Sequence, residues 1–101
     1  MHTEPLLKAI LGMTARQAIP EDKLVQLVGS GESQLQAFNM CDGTRGQGEI
    51  AKALGIDPGS FSRSVSRWIE LGIMLRLGEG RDAKLLHVYP LSKESMKERT
   101  R

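Results

Sequence analysis

The sequence predicts a mainly α domain carrying one small β-hairpin, and three observations carry that expectation. Two helical patterns are separated by the turn Gly55-Ile-Asp-Pro58, so a short helix must stop and a second must start within a few residues. Two β-prone runs flank a turn dense in glycine and charge, Gly78 to Lys84. The chain has 101 residues, 40% of them apolar, enough to close one modest core and too few for two domains of ordinary size.

Taken in order from the N-terminus, Pro5 to Met13 is apolar all round, as expected of a helix buried against its own core or against a second subunit. Ile19 to Val28 places proline and two acids in a first turn and stops at Gly29-Ser-Gly31, which predicts a second helix. Ser33 to Met40 continues the helical pattern, with Leu35, Phe38 and Met40 directed inward, and Asp42-Gly43 closes it. Gln47 to Leu54 is a short amphipathic helix with Ile50, Ala51 and Leu54 on its apolar stripe. Its start has two readings, a capping box from Thr44 to Gln47 or a start at Gly46 ahead of Glu49.

Asp57 is a capping residue and Pro58 has a preset φ, so the next helix begins there and runs through residues 59 to 71. Phe61, Val65, Trp68 and Ile69 share one face and predict core. The other face holds Ser60, Ser62, Arg63, Ser66 and Arg67, with no carboxylate before Glu70. A solvated helix gains from mixing both signs of charge at i,i+4 spacing, and this one does not. Short hydroxyls permit close approach, and guanidinium forks match guanine O6 and N7 or a phosphate. Gly72 ends the helix as a left-handed cap, and Ile73 to Leu77 and Leu85 to Leu91 form the strands of a hairpin. At its tip Arg81 and Lys84 flank Asp82, an arrangement suited to a minor groove.

Helix, tight turn, helix and hairpin in this order predict a winged helix-turn-helix over residues 33–92. Residues 1–32 are then an N-terminal helical segment and 93–101 a flexible or weakly helical tail. The stretch from Gly48 through Ile73 resembles the DNA-binding core of MarR-type winged-helix regulators, and the resemblance covers about half the chain. It implies that the helix after the proline-containing turn is a recognition helix, and that the hairpin ending at Leu91-Ser92 is a wing. Lys84 stands where arginine is frequent in that family, and the C-terminal tail is shorter than the family's dimerising helix.

Charge is distributed in the sense this reading requires. Residues 1–43 hold three bases against five acids, whereas from Thr44 onward eleven bases face seven acids. Sequence-specific binding to double-stranded DNA, as a transcriptional regulator, is therefore the expectation. Ser60, Ser62, Arg63, Ser66 and Arg67 are the candidate base-edge or near-base contacts. Thr44, Arg45 and Gln47 are candidates for phosphate, and Arg81 and Lys84 for the wing contact. The alternative from another class is a winged-helix protein-interaction module of a larger assembly.

The remaining residues carry expectations of absence. No Gly-rich phosphate loop followed by Lys-Ser or Lys-Thr, nucleophile elbow or His-Glu-x-x-His motif occurs, so no enzymatic activity and no cofactor are expected. His2, His87 and Cys41 have no metal-ligand spacing, and Cys41 reads as an inert buried thiol. No apolar run spans a membrane, and a single cysteine suits the cytoplasm. Leu6, Leu7, Ile10, Leu11 and Met13 exceed what one face of a short helix can hide, which predicts a homodimer built through the N-terminal region.

Overall fold

The structure, a computed structural model, describes residues 3–100, with the side chains of Glu4, Arg81, Glu98, Arg99 and Thr100 outside those described. Six helices and one antiparallel hairpin follow the order α1 (Thr3–Ala18), α2 (Glu21–Val28), α3 (Glu32–Met40), α4 (Gln47–Leu54), α5 (Pro58–Glu70), β1 (Met74–Leu77), β2 (Lys84–His87) and α6 (Lys93–Thr100). The fold is mainly helical with a small two-stranded sheet, in agreement with the expected class. No described helix is long and apolar enough to cross a membrane.

The α4–α5 corner is built from local chemistry. Gly55 takes φ 64°, a left-handed conformation that a Cβ would disfavour, and the N–H of Ile56 bonds back to the carbonyl of Ala51 at 2.9 Å. Asp57 then caps α5, its carboxylate accepting from the backbone N–H of Ser60 at 2.9 Å, with Pro58 in the first turn. Of the two starts foreseen for α4 the structure uses Gly46, whose N–H donates to Glu49 Oε1 at 3.3 Å. Thr44 bonds instead to Asp42. At the far end of α5, Gly72 at φ 81° turns the chain, and the N–H of Ile73 reaches the carbonyl of Trp68 at 3.0 Å.

Trp68, Phe61 and Val65 are fully or almost fully buried beneath α5, as their spacing predicts. Phe38 of α3 lies edge-on to Trp68 of α5, with ring centroids 5.4 Å apart, so the two helices meet through these buried rings. The same core takes in Leu24, Val25 and Val28 of α2, so the N-terminal segment and the residues after it share one interior.

In the hairpin, Met74 pairs with His87 and Leu77 with Lys84, while a 3₁₀ turn at Gly80–Asp82 closes the tip. An unforeseen feature adds to this sheet. Residues 41 to 45 run beside β2: Gly43 N–H bonds Leu85 O at 2.8 Å, Leu85 N–H bonds Arg45 O at 3.0 Å, and His87 N–H bonds Cys41 O at 2.7 Å. The segment that links α3 to α4 is thereby held against the far side of the hairpin.

The C-terminal stretch, expected as a flexible or weakly helical tail, forms α6, docked on α2 and α3. Glu21 accepts hydrogen bonds from Ser92 and Ser95 at its start, and Asn39 brackets Leu91, accepting its N–H at 2.7 Å and donating to its carbonyl at 2.9 Å. Helix α1 is not buried all round: Leu11, Gly12 and Ala15 meet the core, whereas Leu6, Leu7, Ile10 and Met13 are exposed.

Candidate nucleic-acid interface

Helix α5 projects a polar face on which Ser60, Ser62, Arg63 and Ser66 are all exposed. The face is rigid because its opposite side is anchored by Phe61, Val65 and Trp68, and its first turn is fixed by the Asp57 cap. Arg63 donates from Nη2 to Ser60 Oγ at 3.2 Å, which orients the guanidinium along the helix toward its N-terminus. The Ser60 N–H and hydroxyl hold the Asp57 carboxyl below the usual range, with nearby Arg63 lowering it further. Asp57 is thus a fixed negative charge at the edge of a basic face, suited to orienting Arg63.

Arg67 departs from the role its position suggested. Its Nη1 donates to Leu27 O at 2.8 Å and its Nη2 to Val28 O at 2.7 Å, and the Trp68 indole N–H also reaches Val28 O, at 3.0 Å. The fork therefore satisfies carbonyls in the last turn of α2, groups that have no partner within their own helix. One turn earlier, Gln34 Nε2 donates to Ser64 Oγ at 3.0 Å. This flank of α5 is bound to the α2–α3 corner, and Arg67 positions the helix.

The phosphate candidates before α4 form a second cluster. Asp42 accepts from the Thr44 N–H at 3.0 Å and pairs with Arg45 at 3.5 Å. These contacts, the Thr44 hydroxyl first, hold its carboxyl below the usual range against the opposing effect of partial burial. Arg45 also donates to Met40 O at 3.4 Å, so its guanidinium is partly engaged inside the fold. Gln47, in the first turn of α4, accepts from Arg76 Nη2 through Oε1 at 3.3 Å.

Arg76 was not foreseen. It is an exposed residue of β1, and with Gln47, Gly48, Gly80 and Ala83 it lines an open groove between the start of α4 and the hairpin tip. Its only sequence signal is a lone base in an otherwise apolar strand, Met74-Leu-Arg-Leu77, and nothing local shows that β1 passes the start of α4. Lys84 sits at the first position of β2, partly exposed, opposite Leu77. Arg81 belongs to the 3₁₀ turn at the tip, and its side chain lies outside those described.

The residues with alternative chemistry sit elsewhere. Cys41 is fully buried, donates to Ala37 O at 3.2 Å, and burial pushes its thiol up to about 12, the Asp42 charge adding to the effect. His87 is buried against Phe38, with ring centroids 5.5 Å apart. Its Nδ1 lies 2.9 Å from Phe38 O, and a carbonyl only accepts, so this nitrogen carries the proton. Among the described residues no group of His, Cys, Asp and Glu is placed to hold a metal ion.

No protein-family model, curated protein or solved structure matches this chain.

Proposed function

We propose that the chain is a winged helix-turn-helix protein that binds double-stranded DNA sequence-specifically, as a cytoplasmic transcriptional regulator, with α5 in the major groove and the hairpin as its wing. One observation carries the reading: the outer face of α5 presents three exposed serines and an oriented Arg63, and lacks any carboxylate between its Asp57 cap and Glu70. The flanking strip of residues 41–45 beside β2 supports it, because it sets the start of α4 and the hairpin on either side of one groove.

In this arrangement Ser60, Ser62, Arg63 and Ser66 meet base edges or the phosphates next to them. Thr44, Arg45, Gln47 and Arg76 hold one backbone strand, and Arg81 and Lys84 reach the adjacent groove. Arg67 stays within the fold and sets the depth of α5.

Amide chemical-shift mapping with a short duplex at low salt tests the proposal. Shifts confined to residues 60–66, 44–48 and 76–84 are expected. Absence of shifts, or shifts clustered on α1, α2 and α6, would overturn it in favour of a protein-binding module.

A further inference from the structure

The strip of residues 41 to 45 has two edges, and the hairpin takes only one of them. Asp42 stands opposite Leu86, at a position where its two neighbours make the bonds to β2: Cys41 O accepts from the His87 N–H, and the Gly43 N–H donates to Leu85 O. The peptide groups of Asp42 itself therefore point away from β2. Its N–H bonds back to Met40 O at 2.9 Å, and its carbonyl accepts from the ammonium of Lys8, on α1. Lys8 is half-buried, and its stem lies over the turn: a Cβ built on Gly43 would stand 3.5 Å from Lys8 Cε and 3.4 Å from its Nζ.

Asp42 joins this anchor to the phosphate candidates ahead of α4. Its carboxylate accepts from the N–H and the hydroxyl of Thr44 and pairs with Arg45 at 3.5 Å. Held at its carbonyl by Lys8 and at its carboxylate by these two residues, Asp42 cannot turn without carrying both of them with it. Loss of the Lys8 ammonium leaves a carbonyl unpaired on an open strand edge, and leaves the Asp42 charge with one fewer base beside it. Both effects loosen the strip.

We propose that Lys8 is a positioning residue for DNA binding: it reaches from α1, acts through Asp42, and holds Thr44 and Arg45 in the geometry that meets a phosphate. The role rests on the reading of the chain as a DNA-binding protein. Lys8 does not itself serve as a phosphate ligand, because its ammonium is engaged with Asp42 O and borders a recess between α1 and β2 lined by Gly12, His87 and Tyr89, none of which is assigned to DNA. A base 34 positions before Asp42 thereby belongs to the interface without touching it.

Anisotropy titrations of a labelled duplex with the full chain, at low salt and well below the thermal transition, test this. Lys8→Met keeps the stem and removes the donor, and should weaken binding roughly fivefold with native circular dichroism. Arg16→Met loosens the other anchor of α1, a guanidinium 4.7 Å above the Tyr89 ring, without touching the strip; it should lower the Tm and leave affinity unchanged. In an Arg45→Ala background Lys8→Met should change affinity by less than about twofold, because residues that act as one unit are not additive. Hydrogen exchange in the free protein supplies a readout independent of DNA: the amides of Gly43, Leu85 and His87 should exchange faster in Lys8→Met. Parent-like affinity in Lys8→Met, equal losses in Lys8→Met and Arg16→Met, full additivity with Arg45→Ala, or unchanged protection of those amides would each overturn the role of Lys8 while the DNA-binding reading stands. A parent chain that fails to bind the duplex would instead overturn that reading, and the role of Lys8 with it.

Discussion

Replacing Arg67 by alanine separates positioning from phosphate contact. The substitution removes two charge-assisted hydrogen bonds, to Leu27 O and Val28 O, while the Trp68 indole keeps its own bond to Val28 O. Hydrogen bonds from charged donors contribute about 1.5–3 kcal/mol each when shielded, but the Arg67 side chain is exposed and the freed carbonyls can turn to water, so about 1–2 kcal/mol in total is expected. In a domain of this size that corresponds to a fall in Tm of about 5–10 °C. Thermal denaturation followed by circular dichroism reads this directly. Affinity for a duplex, measured at several salt concentrations well below the transition, then identifies the role. A residue engaged within the fold contributes no released counterion, so log K against log salt should keep its slope in Arg67→Ala. Arg67→Lys should be destabilised as well, because an ammonium on a flexible stem does not reproduce a fork across two carbonyls. An unchanged Tm in Arg67→Ala together with a slope shallower by about 0.9 would refute the reasoning and make Arg67 a phosphate ligand.

Arg63→Ala is expected to relax sequence preference by about 1–3 kcal/mol, whereas Arg81→Ala should weaken all duplexes about equally; competition between a selected site and random DNA distinguishes them, and equal losses for both variants would assign Arg63 wrongly. Arg76→Ala should reduce the salt slope by about 0.9 and leave the Tm nearly unchanged, because its contact with Gln47 is exposed; an unaltered slope would remove it from the interface. Burial lowers the pKa of His87, opposed by the Phe38 carbonyl and Asp42 and assisted by Lys8 and Arg16. The unfolded chain therefore takes up a proton near pH 6.5 that the folded chain refuses, so His87 should cost stability as the pH falls below about 6.5. Its ring resonance should titrate below that value, and a midpoint above it would contradict the burial argument.

The segments that were legible in the sequence are those whose structure is decided locally. Gly55, Asp57 and Pro58 dictate a stop and a start within four positions, and Phe61, Val65 and Trp68 share a face by helical spacing alone. Features decided by distant partners were not legible. Residues 41 to 45 read as the end of a helix and a turn, since their strand-like bonding is supplied by Leu85 and His87, forty or more residues away. Periodicity set Arg67 on the outer face correctly, but could not reveal that the end of α2 stands beside it with unpaired carbonyls. The tail looked polar and frayed because its docking depends on Glu21 and Asn39, neither of which marks itself in sequence. For α1 the apolar count was legible; the division into a covered face and an open one needed the packing of Gly12 on residues 88–89.

On the proposed function, a defined face of this domain neutralises DNA phosphates while α5 reads bases. Fluorescence anisotropy on a labelled random duplex, titrated across a range of salt concentrations, tests it most directly. Each phosphate neutralised contributes about −0.9 to the slope of log K against log salt, so the several contacts assigned to Arg45, Arg76, Lys84 and their neighbours predict a steep decline. A flat dependence, or no binding at low salt, would contradict the claim.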